Sequence, residues 1–175
     1  AIGAKTFDQA DGVYRQAMVI GLGLTVITLV AGYALAHAGL HLLAADEATA
    51  SMGVAYLYGF LPGLALMFPT NAMGSALRAA GVVRPTMMIQ TVSVLINVVL
   101  APVLIAGWGT GHPLGVFGAG LASSIASIVG FVWTVWIFGR CQTIIANPLK
   151  LPRPDFAIWR KIVGVGLPSA AEFLL

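Results

Sequence analysis

Glu172 is the one ionisable residue set deep inside an apolar run of this chain. A carboxylate at the centre of a membrane helix costs about 2.5–3.5 kcal/mol on insertion scales and marks function by default. Burial drives a carboxyl pKa upward, which is what a proton-coupling group requires. The alternative is a carboxylate near the inner surface, since ten residues, about 15 Å of helix, separate it from Lys161. His37 and His41 stand four apart on one helical face, a metal-ligand spacing. Clustered boxes of this kind would suggest a di-iron hydroxylase, but the chain has three histidines and a single box. Two histidines at a membrane interface are the expectation, and no metal site is assigned. Tyr56, Tyr58, Trp133 and Trp136 offer faces for organic cations or interfacial and lipid-facing bulk. The lone Cys141 excludes an intrachain disulfide and a cysteine metal cage. Without a Gly-x-Ser-x-Gly elbow or another catalytic constellation, the chain is not expected to be an enzyme.

The elements that position these groups follow from composition. Hydrophobic residues make up 59% and charged residues 9%, against about 25% charged in soluble domains; the mean hydropathy is +0.94. Too few polar side chains remain for a water-facing exterior, so lipid is the solvent. The net charge of +3 is dispersed among gaps and forms no nucleic-acid stripe. Lys5 and Arg15 precede the first uncharged stretch, Arg78 and Arg84 separate the second from the third, and Arg140, Lys150, Arg153, Arg160 and Lys161 follow the fourth. The other gaps hold Asp46 and Glu47, or the uncharged run 107–115. Short cytoplasmic loops are enriched in Lys and Arg, which predicts four crossings, basic loops in the cytoplasm, anionic lipid beside them, and a multi-pass protein of the inner cell membrane.

Spans are expected near 16–45, 48–77, 86–106 and 116–138. Strands are excluded, because barrel strands are short and alternate. The 140–161 segment is the longest polar stretch, with Asp155 capping a helix from Phe156 and Trp159 at headgroup depth. The run 162–175 is too short to span, and Ala1 is neither an initiating Met nor part of a signal peptide. The chain therefore reads as an internal piece of a longer membrane protein. Small residues such as Gly59, Gly63, Gly120, Ser123, Ser124 and Ser127 suit close helix contacts. Pro62, Pro69 and Pro102 lie inside spans and should kink them, either beside a central cavity or as ordinary packing.

The turn Leu77-Arg-Ala-Ala-Gly-Val-Val-Arg-Pro-Thr-Met87 resembles the cytoplasmic turn between helices four and five of the multidrug and toxic compound extrusion (MATE) family. Ala1-Ile-Gly-Ala4 with Asp8 and Ala10 is similar to its segment after helix two, and Asn97-Val-Val-Leu-Ala-Pro102 to its Asn-x-x-Leu-Asp-Pro in helix five. Pro113-Leu-Gly-Val-Phe-Gly-Ala-Gly-Leu-Ala-Ser123 resembles the entry to helix six, and Gly166-Leu-Pro168 the opening of helix seven.

The resemblance implies an all-α polytopic bundle, part of a twelve-helix, two-lobe transporter. Residues 1–139 would be a partial N-lobe, 140–161 the cytoplasmic inter-lobe loop, and 162–175 the start of the first helix of the C-lobe. It implies an antiporter, monomeric at full length, in which a Na⁺ or H⁺ gradient drives export of organic cations or other small molecules by alternating access. No cofactor is expected; Na⁺ or H⁺ enters only as the coupling ion. Within the family's N-lobe cation site, Asn97 matches an Asn and Ser123 a Thr, whereas Ala101 replaces an Asp. Losing that carboxylate should weaken cation binding and shift coupling to an acid on helix one, which this sequence does not include, or to the C-lobe, where Glu172 is a candidate. Interhelical hydrogen bonding is the alternative role for Asn97, and packing for Ser123. Arg78 and Arg84 are inner-interface anchors, or each takes part in a gating ion pair with an acidic partner. The other transporter reading is a flippase for lipid-linked oligosaccharides or cell-wall precursors from the same superfamily.

Overall fold

In lipid, a spanning backbone must satisfy its own polar groups, and a helix does so within one segment. The computed structural model describes residues 7–108, 111–140, 155–156, 158–160, 162 and 164. It has four helices, α1 (Phe7–Leu43), α2 (Glu47–Ala79), α3 (Val83–Ala106) and α4 (Gly115–Arg140), and no strand among the described residues. All four are long and apolar enough to cross a membrane.

The helices overrun the expected spans where local chemistry permits. α1 starts at Phe7 rather than near 16, because Arg15 lies inside the helix and pairs with Asp11 one turn earlier at 2.7 Å. Such i,i+4 pairs sustain a helix beyond the bilayer. α3 starts at Val83 with Pro85 in its first turn, where a missing N–H costs no helical bond.

Short connections make successive helices antiparallel. Asp46 caps α2, its carboxylate accepting from the Thr49 N–H at 3.1 Å. Hydrogen bonds from Thr49 hold that carboxyl below its ordinary value. At the far end of α2, Gly81 takes φ +82°. Val82 N–H donates to Leu77 O at 2.9 Å and Gly81 N–H to Arg78 O at 3.0 Å, the paired bonds of a Schellman stop. The glycine in the Leu-Arg-Ala-Ala-Gly turn is thus the left-handed residue that ends α2 and starts α3.

Across the bundle the order is α1, α2, α4, α3: α2 packs on α1 and α4, α3 packs on α4, and α2 and α3 barely touch. A core of Tyr14, Met18, Met73, Leu77 and Phe138 closes one end, with Tyr14 and Phe138 stacked at 5.1 Å. That cluster joins the start of α1 to the last turns of α2 and α4. It therefore gathers Arg15, Arg78 and Arg140 at one end, with Arg84 just past the turn.

Asp155 precedes helical residue Phe156, and Trp159 N–H donates to Asp155 O at 3.1 Å. Trp159 is half-buried, and its indole N–H donates to Gln16 Oε1 at 2.7 Å.

Candidate functional site

α4 meets two different neighbours along two faces. Toward α2 it presents Gly120 and Ser124, and α2 answers with Gly59 and Gly63. A Cβ on Gly63 would stand 2.7 Å from Ser124 Cα, and one on Gly59 would stand 2.7 Å from Phe117 O. Only glycine admits that backbone approach. Ser124 is fully buried here. Its hydroxyl accepts from Gly63 N–H at 2.9 Å and donates to Gly59 O at 2.5 Å. Those two backbone groups pair with each other in an unbroken helix, so Ser124 sits on the ladder of α2 beside Pro62.

The two carbonyls that the prolines of α2 deprive of a partner are met from α1. Pro62 frees Tyr58 O, which accepts from the Tyr33 hydroxyl at 3.1 Å. Pro69 frees Ala65 O, which lies 2.8 Å from the Thr25 hydroxyl, a donor shared with Gly21 O at 2.9 Å. Pro102 is exposed on α3, and among the described residues no side chain donates to Val98 O.

Where α3 packs on α4, part of the α4 surface stays uncovered on the side facing α2. Because α2 and α3 scarcely meet, a groove of about 280 Å³ opens between them over α4. Ser123, Ala126, Ser127 and Gly130 floor it; Met67, Thr70 and Asn71 of α2 form one wall; Ile89, Gln90, Ser93, Val94 and Asn97 of α3 form the other. Its polar groups are hydroxyls and amides, and none of the described residues that line it is charged. Pro62, Pro69 and Pro102 are not among its walls.

Asn97 and Ser123, 26 positions apart, meet in this groove. Asn97 Nδ2 donates to Ser123 Oγ at 2.9 Å, and that hydroxyl turns back to Ala119 O at 3.3 Å. Asn97 Oδ1 accepts no hydrogen bond among the described residues. Neutral oxygens are what a hard cation takes as ligands, but position 101, one turn further along α3, is Ala101 and supplies none. The set can solvate a polar or cationic group weakly; it brings no countercharge.

The remaining candidates fall elsewhere. Arg78 is exposed and donates to Ser75 Oγ at 3.0 Å, and Arg84 is exposed in the first turn of α3. The Trp136 ring already carries the guanidinium of Arg140, 4.1 Å from its centroid, so that face is occupied by the chain's own cation. Tyr56 stacks on Phe60, and Tyr58 packs against Tyr33; none of these rings lines the groove. Glu172 lies outside the described residues, as does Cys141.

Sequence reasoning passed over Gln90, Ser93, Thr70, Asn71 and the bridging role of Ser124. A signal existed for the first two. Gln90, Ser93 and Asn97 repeat at i, i+3, i+7, one polar stripe on a helix whose other polar residues, Arg84, Thr86 and Thr91, lie in its first half. For the caps, the position four before each proline names the carbonyl needing a donor, but not the donor.

The MatE family model matches residues 1–103 of the chain. Over its full length the chain is 26% identical to a probable multidrug resistance protein NorM of Halalkalibacterium halodurans, covering 36% of that protein. It is 28% identical to a probable NorM of Bradyrhizobium diazoefficiens, over 92% of this chain and 36% of the relative. Against the multidrug export protein MepA of Staphylococcus aureus it is 22% identical, over 96% of this chain and 36% of the relative. The chain thus spans about a third of the length of these curated relatives. No solved structure matches it at comparable significance.

Proposed function

The chain belongs to the MatE family, and on that footing we propose that this integral membrane protein works in cation-coupled export of drugs or toxic organic compounds. One observation carries the reading. An apolar groove dotted with hydroxyls and amides, with no charged side chain among its described lining residues, lies between α2, α3 and α4, with Asn97 and Ser123 joined in it. Polar side chains in a bilayer face a partner, a cavity or a solute path, and this groove is lined for a solute with hydrogen-bonding groups. The relatives' names, which refer to multidrug resistance and export, point to the solute class.

In this reading the basic ends of the helices face the cytoplasm of the inner-membrane cell, and access to the groove alternates between the two sides. The groove holds neutral oxygens only, so Na⁺ binds there weakly. The strong coupling acid lies elsewhere, with Glu172 as the candidate in this chain.

The test is efflux of a fluorescent organic cation from everted vesicles carrying the full-length protein, under an imposed Na⁺ or H⁺ gradient. Efflux under one gradient supports the reading, and none under either overturns it. Within an active protein, Glu172→Gln should abolish the gradient dependence; wild-type behaviour retires that role.

A further inference from the structure

At the end of the bundle opposite the arginines, the last turn of α1 and the first residue of α2 bring three metal-competent side chains into sequence. His37 and His41 lie on one face of α1, their rings 4.2 Å apart between centroids and inclined by 30°. Across the three-residue turn, Glu47 Oε2 lies 3.3 Å from His41 Nδ1. We propose that His37 and His41 form a surface site for a divalent transition-metal ion such as Zn²⁺ or Ni²⁺, with Glu47 orienting His41.

The chemistry runs from the far nitrogen inward. A carboxylate facing Nδ1 favours the tautomer with its proton there, and so leaves the Nε2 lone pair to bind a metal. Carboxylate, histidine and metal in series is the recurrent support of metal-bound imidazoles. His37, one turn earlier, supplies the second nitrogen, the i,i+4 arrangement by which a helix offers two imidazoles to one ion. Zn–N bonds of about 2.0–2.1 Å bring two donor nitrogens within about 3.5 Å of each other, which rings this close reach by side-chain rotation alone. No group of three or more His, Cys, Asp or Glu able to hold a metal ion is found among the described residues, so water fills the remaining positions and the site binds as a two-histidine site does. A dication there also sits at the negative end of the α1 dipole. His37 is exposed and the His41 side chain is 26% exposed, so an ion reaches them from solvent.

The site differs from the groove in place and chemistry, and its test does not depend on transport. Zn²⁺ and, separately, Ni²⁺ are titrated into the purified full-length protein by calorimetry, with the melting temperature followed in parallel. Wild type should show one saturable binding event that is weakened at least about 10-fold by His37→Gln and by His41→Gln. Glu47→Gln should weaken it by about 10-fold, the lower end for a removed supporting partner. His112→Gln, on a separate turn, should change nothing. Equal binding by wild type and both histidine variants, with all of them folded by melting, overturns the site. An unchanged affinity in Glu47→Gln alone overturns the orienting role.

Discussion

Ser123 and Ser124 are neighbours in sequence and opposites in circumstance. A helix turns about 100° per residue, which sends one hydroxyl toward α3 and the other into α2. Ser124 is sealed between glycines with both its donor and its acceptor capacity used on the α2 backbone. Ser123 stands at the floor of an open groove and shares one hydrogen bond with Asn97. The α2–α4 face is therefore a structural joint, and the α3–α4 face is a place where polar groups keep spare capacity. The contrast teaches that residue type does not separate packing from function in a small-residue helix. Spacing around the helix axis does.

The sharpest way to break that contrast is to force the joint apart. Gly120→Leu places a side chain against Tyr56 O and Phe60 N, and should cost at least about 3 kcal/mol, the upper range for overpacking. Loss of the monodisperse peak in size-exclusion chromatography would register it. A well-folded Gly120→Leu protein would show that the joint is not tight. Next comes Ser124→Ala, which strands Gly59 O and Gly63 N–H. A drop of about 1–3 kcal/mol is expected from an unsatisfied buried pair, read as a lower melting temperature. Tyr33→Phe and Thr25→Val remove the caps on the proline-freed carbonyls and should each cost about 1 kcal/mol, in line with hydrogen bonds inside membranes.

On the groove side, stability should hardly move and ion handling should. Ser123→Ala and Asn97→Ala are each expected to stay within about 1 kcal/mol of wild type while Na⁺ binding by the full-length protein falls. Ala101→Asp restores a carboxylate one turn from Asn97 and should tighten that binding. If Ala101→Asp leaves it unaltered while Asn97→Ala collapses it, the site is right and its weakness is wrong.

The smallest effect lies away from both faces, at the α2 cap. The Asp46 carboxyl is held below its ordinary value of 3.8. A lowered folded-state pKa means that its contribution is present above the unfolded value and is lost as pH falls through the folded one. Protection of the Thr49 amide, taken as its exchange rate relative to the intrinsic rate at each pH, should fall at acid pH in wild type and be low at every pH in Asp46→Ala.

Much of the scaffold was legible residue by residue. Uncharged runs and the glycine-rich 107–115 break located the helices, whereas Asp46 was read only as a gap charge and Gly81 only as part of the family turn, and the cap and stop they form were not foreseen. Arg15 marked a charge boundary for the expected span, and the helix itself runs on through it with an i,i+4 partner at Asp11. In the groove, Asn97 and Ser123 were reached through the family motif, and Gln90 and Ser93 were missed although they share a stripe with Asn97. Trp136 was offered to an external cation, but Arg140 one turn later takes its face.

By itself the sequence determined the solvent, the number of helices described here and the end at which the arginines gather, because those depend on apolar length, charge spacing and turn chemistry, all local quantities. Only the tertiary structure decided which partner each polar group meets. Ser124 on the α2 ladder, Tyr33 and Thr25 on carbonyls freed by prolines, and Glu47 facing His41 all depend on which helix lies beside which and at what rotation. That choice is made by close packing between glycine-lined surfaces, and no single helix encodes it.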